Sequence, residues 1–126
     1  MVGRALASFD EIRPIAHELT TARSALYLGR DVLFPVAMEG ALKLKELSYI
    51  HAEGFASGEM KHGPIALIEE GLPVIALLAA GEVMGKAASN LQEASARGAS
   101  IILITEERAA ATVDFADRVV TVPNID

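Results

Sequence analysis

The sequence predicts an α/β fold, a three-layer αβα sandwich built on a parallel sheet, and three observations predict it. Its apolar runs at residues 24–28, 73–78 and 100–105 do not alternate with polar positions, as strands covered on both faces read. The stretches between them carry apolar side chains at helical spacing. The resulting order, α-β-α-β-α-β-α-β, is that of strands joined by crossover helices.

Each element has its own signal. Residues 9–22 place Ile12, Ile15, Ala16 and Leu19 on one helical face, and Ser8 with Glu11 three positions on forms a capping-box pair. Residues 24–28 read as a buried strand closed by Gly29. A loop over 31–35 leads into a helix predicted over 36–52. Residues 54–63 read as loop with a helical turn, and Pro64 opens a short helix ending at Leu67. After the strand at 73–78, Val83, Met84, Ala87, Leu91 and Ala94 mark a helix over 82–96, closed by Arg97-Gly98. A strand at 100–105, a short helix at 106–112 and a strand at 119–122 complete the order. The chain is expected to be one domain over 1–126, with a flexible leader at 1–7. The last strand arrives with no closing helix behind it, so the sandwich is expected to be incomplete at the C-terminus.

Composition excludes partners more than it selects them. A chain of 126 residues, 52% apolar and 22% charged, has the makings of one globular core. The longest apolar stretch, 72–80, is under half the length that a bilayer requires, about 20 residues. No secretory signal opens the chain. The absence of cysteine removes disulfides and thiolate metal sites, which fits a cytoplasmic setting. A net charge of −6 with no basic stripe argues against nucleic acid. An acidic chain can still take a phosphosugar where backbone N–H groups converge.

In open sheets of this kind, ligands sit beyond the carboxyl ends of the strands. That directs attention to Gly29 through Phe34 and to the helix after them. On that helix Glu39, Lys43, Glu46 and Glu53 fall within an arc of about 80° at 100° per residue. One reading is a solvated face with a Glu-Lys pair four residues apart, worth a few tenths of a kcal/mol. The other is a carboxylate beside an ammonium at the mouth of the sheet. There it would shuttle a proton between adjacent sugar carbons while the cation steadies the enediolate. His62, in Glu59-Met60-Lys61-His62-Gly63-Pro64, is either a turn residue or an acid-base group. Gly63 would permit close backbone approach and Pro64 would fix the turn. His51 reads as a packing or capping residue, and His17 as a surface one. Residues 81–87 have glycines one position too close for a phosphate loop, and Ala87 supplies no metal-binding hydroxyl. The histidines lack metal-ligand spacing, and no cofactor is implied.

The segment LGRDVLFPVAMEGALKLKELSYIHAEGFASGEMKHGPIALI, residues 28–68, resembles the second SIS (sugar isomerase) domain of the glucosamine-6-phosphate synthase family. EGALKLKE, SYIHAE and GE-x-KHGP together carry the resemblance. It implies a SIS fold that helps convert fructose 6-phosphate to glucosamine 6-phosphate, with ammonia from a separate glutaminase domain. By the same resemblance Glu46 is the proton-transfer base, Lys43 the lysine beside it, and His62 the ring-opening histidine lent to a neighbouring subunit. The partners it implies are a phosphosugar and a second copy of the chain, as a homodimer. Three departures stand out. The family's Ser/Thr-rich phosphate loop belongs to the other SIS domain, the tail with a catalytic lysine is not in this sequence, and Asp31 replaces a common glycine. A SIS sugar-phosphate isomerase, a glucosamine-6-phosphate deaminase and a non-catalytic phosphosugar sensor are the alternatives. The joint presence of Glu46, Lys43 and His62 argues against the sensor.

Overall fold

Short non-alternating apolar runs do pair as the sequence predicts, and one strand that the sequence hid joins them. The computed structural model describes residues 9–82, 85–110 and 113–124. The strands are β1 (Ser24–Gly29), β2 (His51–Ala56), β3 (Pro73–Leu77), β4 (Ser100–Glu106) and β5 (Arg118–Val122). All pairs are parallel, in the order β2-β1-β3-β4-β5. The helices are α1 (Phe9–Leu19), α2 (Leu33–Ser48), α3 (Lys86–Ala96) and the single turn α4 (Glu107–Ala110). Three 3-10 turns, Ser57–His62, Pro64–Leu67 and Ala80–Glu82, lie at strand ends and in loops.

Two apolar layers cover the sheet. On one face Ile15 of α1 packs with Ala25, Ile75, Ile102 and Val120, and Leu44 of α2 joins them. On the other, Leu91 and Ala94 of α3 pack with Leu26, Leu28, Val74, Ile101 and Leu103. Alternate residues of each strand thus serve opposite layers, which is why these runs read as continuously apolar.

The helix expected over 36–52 starts three residues earlier and stops at Ser48. Tyr49 takes the left-handed conformation, φ 63°, and Ile50 turns into the core. Residues 51–56 then form β2, in register from Ser24↔His51 to Gly29↔Ala56. Glu53 therefore stands on a strand, not on the helical stripe. Left-handed tyrosine is uncommon, so nothing in the sequence announced the stop. α3 begins at Lys86 rather than at 82. The leader at 1–7, the Ser8 cap, and Val83 and Met84 lie outside the described residues.

Two glycines are required by geometry. A Cβ on Gly29 would run into the backbone of Leu33, where the chain folds directly from β1 into α2. Gly98 sits at φ +100°, the left-handed position expected just past a helix.

Candidate functional site

A cleft of about 270 Å³ opens beyond the carboxyl ends of β1 and β2, against the start of α3. The connection from β1 leads to β2 on one side, and that from β3 leads to β4 on the other. This reversal makes the crevice between β1 and β3 the switch point at which such sheets bind ligands. Arg30, directly after β1, lines it; so do Ser57, Lys61 and His62, after β2, and Lys86 and Asn90 on the first turns of α3.

The turn that carries His62 is held from below. Met60 is 0% exposed and belongs to the core layer under α3. Its neighbours Lys61 and His62 are thereby pushed outward to the cleft, where both are exposed. Ser57 is buried, and its carbonyl accepts a long hydrogen bond from Asn90 Nδ2 at 3.5 Å. Lys61 Nζ lies 3.2 Å from Glu93 Oε2 on α3. Pro64 is buried and opens the next turn, as its position predicts. Gly63 does not serve close approach: a Cβ there would meet open space. Asp31, at φ 52°, adopts a left-handed backbone, and its carboxylate is 3.8 Å from Arg30 Nε.

Glu46 and Lys43 are not at this mouth. α2 begins near the carboxyl end of β1 and runs back to the start of β2. Glu46 is thirteen residues past Leu33, roughly 20 Å along the axis, at the amino-terminal end of the sheet. It is nine residues from buried Ala37, which is about 180° of rotation, so it projects straight away from the core. Glu46 has no hydrogen bond or ion pair to any described residue. Lys43 Nζ instead approaches Glu39 Oε1 at 3.4 Å, the four-residue pair of a solvated face. His51 Nε2 meets Glu53 Oε1 at 2.9 Å on the edge strand β2. The structure thus separates Glu46 and Lys43 from His62.

Exposed apolar side chains stand along α2 and just past its end, among charged ones. Leu47 is 82% exposed and Tyr49 98%, and Val36, Met38 and Leu42 are exposed along the same helix. Sequence reading missed Lys86 and Asn90. Lys86 sits in the stretch set aside as a failed phosphate loop. Asn90 is a buried polar residue inside an otherwise apolar helical face, and that mismatch was the available signal.

A model of the SIS domain matches residues 18–124. The chain is 59% identical over 104 residues to an isomerizing glutamine–fructose-6-phosphate aminotransferase of Mesorhizobium japonicum, covering 82% of this chain and 17% of the relative. It is 52% identical over 126 residues to the Streptomyces coelicolor enzyme of the same name, covering 97% of this chain and 20% of that one. It therefore spans about a fifth of the length of such relatives. Among solved structures, the C-terminal domain of glucosamine-fructose-6-phosphate aminotransferase from Francisella tularensis superposes with a TM-score of 0.90 at 41% identity. That match covers 97% of this chain and 34% of the other. A glucosamine-6-phosphate deaminase from Thermotoga maritima reaches 0.75 at 25% identity, over 98% of this chain and 36% of the other.

Proposed function

This chain belongs to the SIS domain family, and from that premise we propose that it supplies part of the isomerase site of a glucosamine-6-phosphate synthase. The observation that carries the proposal is the outward projection of Glu46 at the end of α2, far from His62. A carboxylate held 180° from the core, amid exposed Leu47 and Tyr49, is presented to another domain rather than to its own cleft. Covering those side chains would exclude water around Glu46, and a base works best where water is excluded.

In this reading Glu46 moves a proton between C1 and C2 of fructose 6-phosphate, whose phosphate is held by another SIS domain. Lys43 stands one helical turn away and steadies negative charge as it develops on the sugar oxygens. His62 opens the ring of a sugar bound by a neighbouring chain, since its own chain offers it no nearby Glu46. The pairing of copies is a homodimer, and the exposed apolar surface of α2 supports burial against another domain or chain. The setting is cytoplasmic; among the described residues no helix is long and apolar enough to cross a membrane. The deaminase alternative is less favoured, because identity is 25% there against 52–59% with the aminotransferases.

The test is a transplant. The 104 residues of this chain that match the Mesorhizobium enzyme replace their counterparts there, and glucosamine 6-phosphate formation from fructose 6-phosphate and glutamine is measured. Turnover within about a hundredfold of the unaltered enzyme is expected, since a misplacement of about 1 Å at the exchanged surface can cost that much. The isolated chain, given fructose 6-phosphate and ammonia, should form none. A folded chimera without turnover, or an active isolated chain, would refute the reading.

A further inference from the structure

Gly40 stands in the middle of α2, inside the run EGALKLKE, where glycine is the poorest helix former short of proline. Its surroundings give it a reason. A Cβ on Gly40 would lie 2.8 Å from Cε2 and 3.1 Å from Cδ2 of Tyr27, so the aromatic ring on β1 fills the space that a side chain would need. Ala37 and Ala41 on the same side of α2 are buried, and these small residues let the helix lie low on the sheet.

The ring has little room to give way. Tyr27 is in register with Gly54 of β2 on one side and with Ile75 of β3 on the other. Ile75 is buried in the layer against which Tyr27 packs. At Gly54 a Cβ would lie 2.8 Å from Met38 Sδ and 3.0 Å from Met38 Cα, so the helix backbone itself closes that side. The glycine on the strand receives the helix, and the glycine on the helix receives the ring of the neighbouring strand. Earlier in the chain, α2 is pinned where Gly29 meets the backbone of Leu33.

Glu46 projects from the far side of α2, so whatever sets the height of the helix also sets the place of the carboxylate. Ordinary contact with the ring begins at 3.4 Å, so a side chain at position 40 demands a shift of roughly 0.6 Å. With Leu33 as the pivot, that grows to about 1 Å at Glu46, farther along the helix. A misplacement of this size can cost about a hundredfold in rate.

We propose that Gly40 and Tyr27 are positioning residues of the isomerase reaction: the ring seated under Gly40 fixes the height of α2 and, through it, the place of Glu46 against the sugar. This deepens the reading of Glu46 as the proton-transfer base and rests on it.

Two measurements test it. In the 126-residue chain, Gly40→Ala is combined with Tyr27→Val, which removes the ring. With Tyr27 in place, Gly40→Ala should not raise the melting temperature. In the Tyr27→Val background it should raise it by about 4 °C, the gain in helix propensity released once the ring is gone. An equal rise in both backgrounds overturns the seat. In the chimera, Gly40→Ala should lower kcat about tenfold, since the ring absorbs part of the shift, and leave KM for fructose 6-phosphate nearly unchanged. Adding Tyr27→Val should recover most of that loss, which a merely destabilising effect would not allow. Where Glu46→Gln impairs the same chimera, an unchanged kcat in Gly40→Ala, or no recovery in the double variant, overturns the positioning role. Where Glu46→Gln does not impair it, the reading of Glu46 fails and the positioning role falls with it, while the melting temperatures still judge the seat.

Discussion

Glu46→Gln in the chimeric enzyme is expected to lower glucosamine 6-phosphate formation about 100-fold or more, the scale of losing a general base. Glutamine keeps the volume and hydrogen-bonding reach of the side chain and removes the basic lone pair. The fold should not notice, since Glu46 is exposed and bonded to no described residue. KM for fructose 6-phosphate should change little, because the phosphate is held elsewhere, and glutamine hydrolysis should survive. Lys45 is the control. It sits about 100° around the helix from Glu46, so Lys45→Gln should cost far less. Near-normal turnover by Glu46→Gln would mean that the carboxylate is only a solvated helix residue.

Met60→Ala is expected to destabilise the chain by about 3 kcal/mol, the middle of the range for removing a large apolar side chain from a packed core. Met60 is wholly buried, and it ties the turn Ser57–His62 to the layer formed by α3. For a domain of this size that loss lowers the melting temperature by roughly 10 °C. Because Lys61 and His62 follow directly, their placement at the cleft should loosen as well. Urea unfolding gives the free energy; a loss below about 1 kcal/mol would show that the turn is not anchored through this residue.

What the sequence disclosed follows from where side chains are uniformly apolar. β1, β3 and β4 are central, covered on both faces, and each was legible within a residue or two. β2 is an edge strand whose His51, Glu53 and Phe55 alternate only weakly with Ala52 and Gly54, and a persuasive helical pattern runs into it. The stop at Tyr49 depends on a left-handed backbone that tertiary packing of Ile50 imposes, which local propensity does not encode. At the site, residue types were readable and distances were not. Glu46, Lys43 and His62 were named from wording that resembles a family, and their separation is a property of chain direction. Helical spacing placed Glu46 and Lys43 on one stripe correctly, but spacing says nothing about which end of the sheet a stripe reaches. Asn90 stood out in the sequence only as a polar residue on an apolar helical face, a signal to which its burial adds the weight.

The antiparallel course of α2 against its sheet has a consequence in genetics. If each site takes Glu46 from one subunit and His62 from the other, two defective alleles can rescue each other. A hybrid of Glu46→Gln and His62→Ala subunits gathers both lesions into one site and leaves the second intact. Subunits mixed one to one and reassembled at random should regain about a quarter of normal turnover, since half the dimers are hybrids with half their sites whole. If both residues served a site within one chain, no mixture would recover anything. The allele pair thus reads out which chain each residue works for.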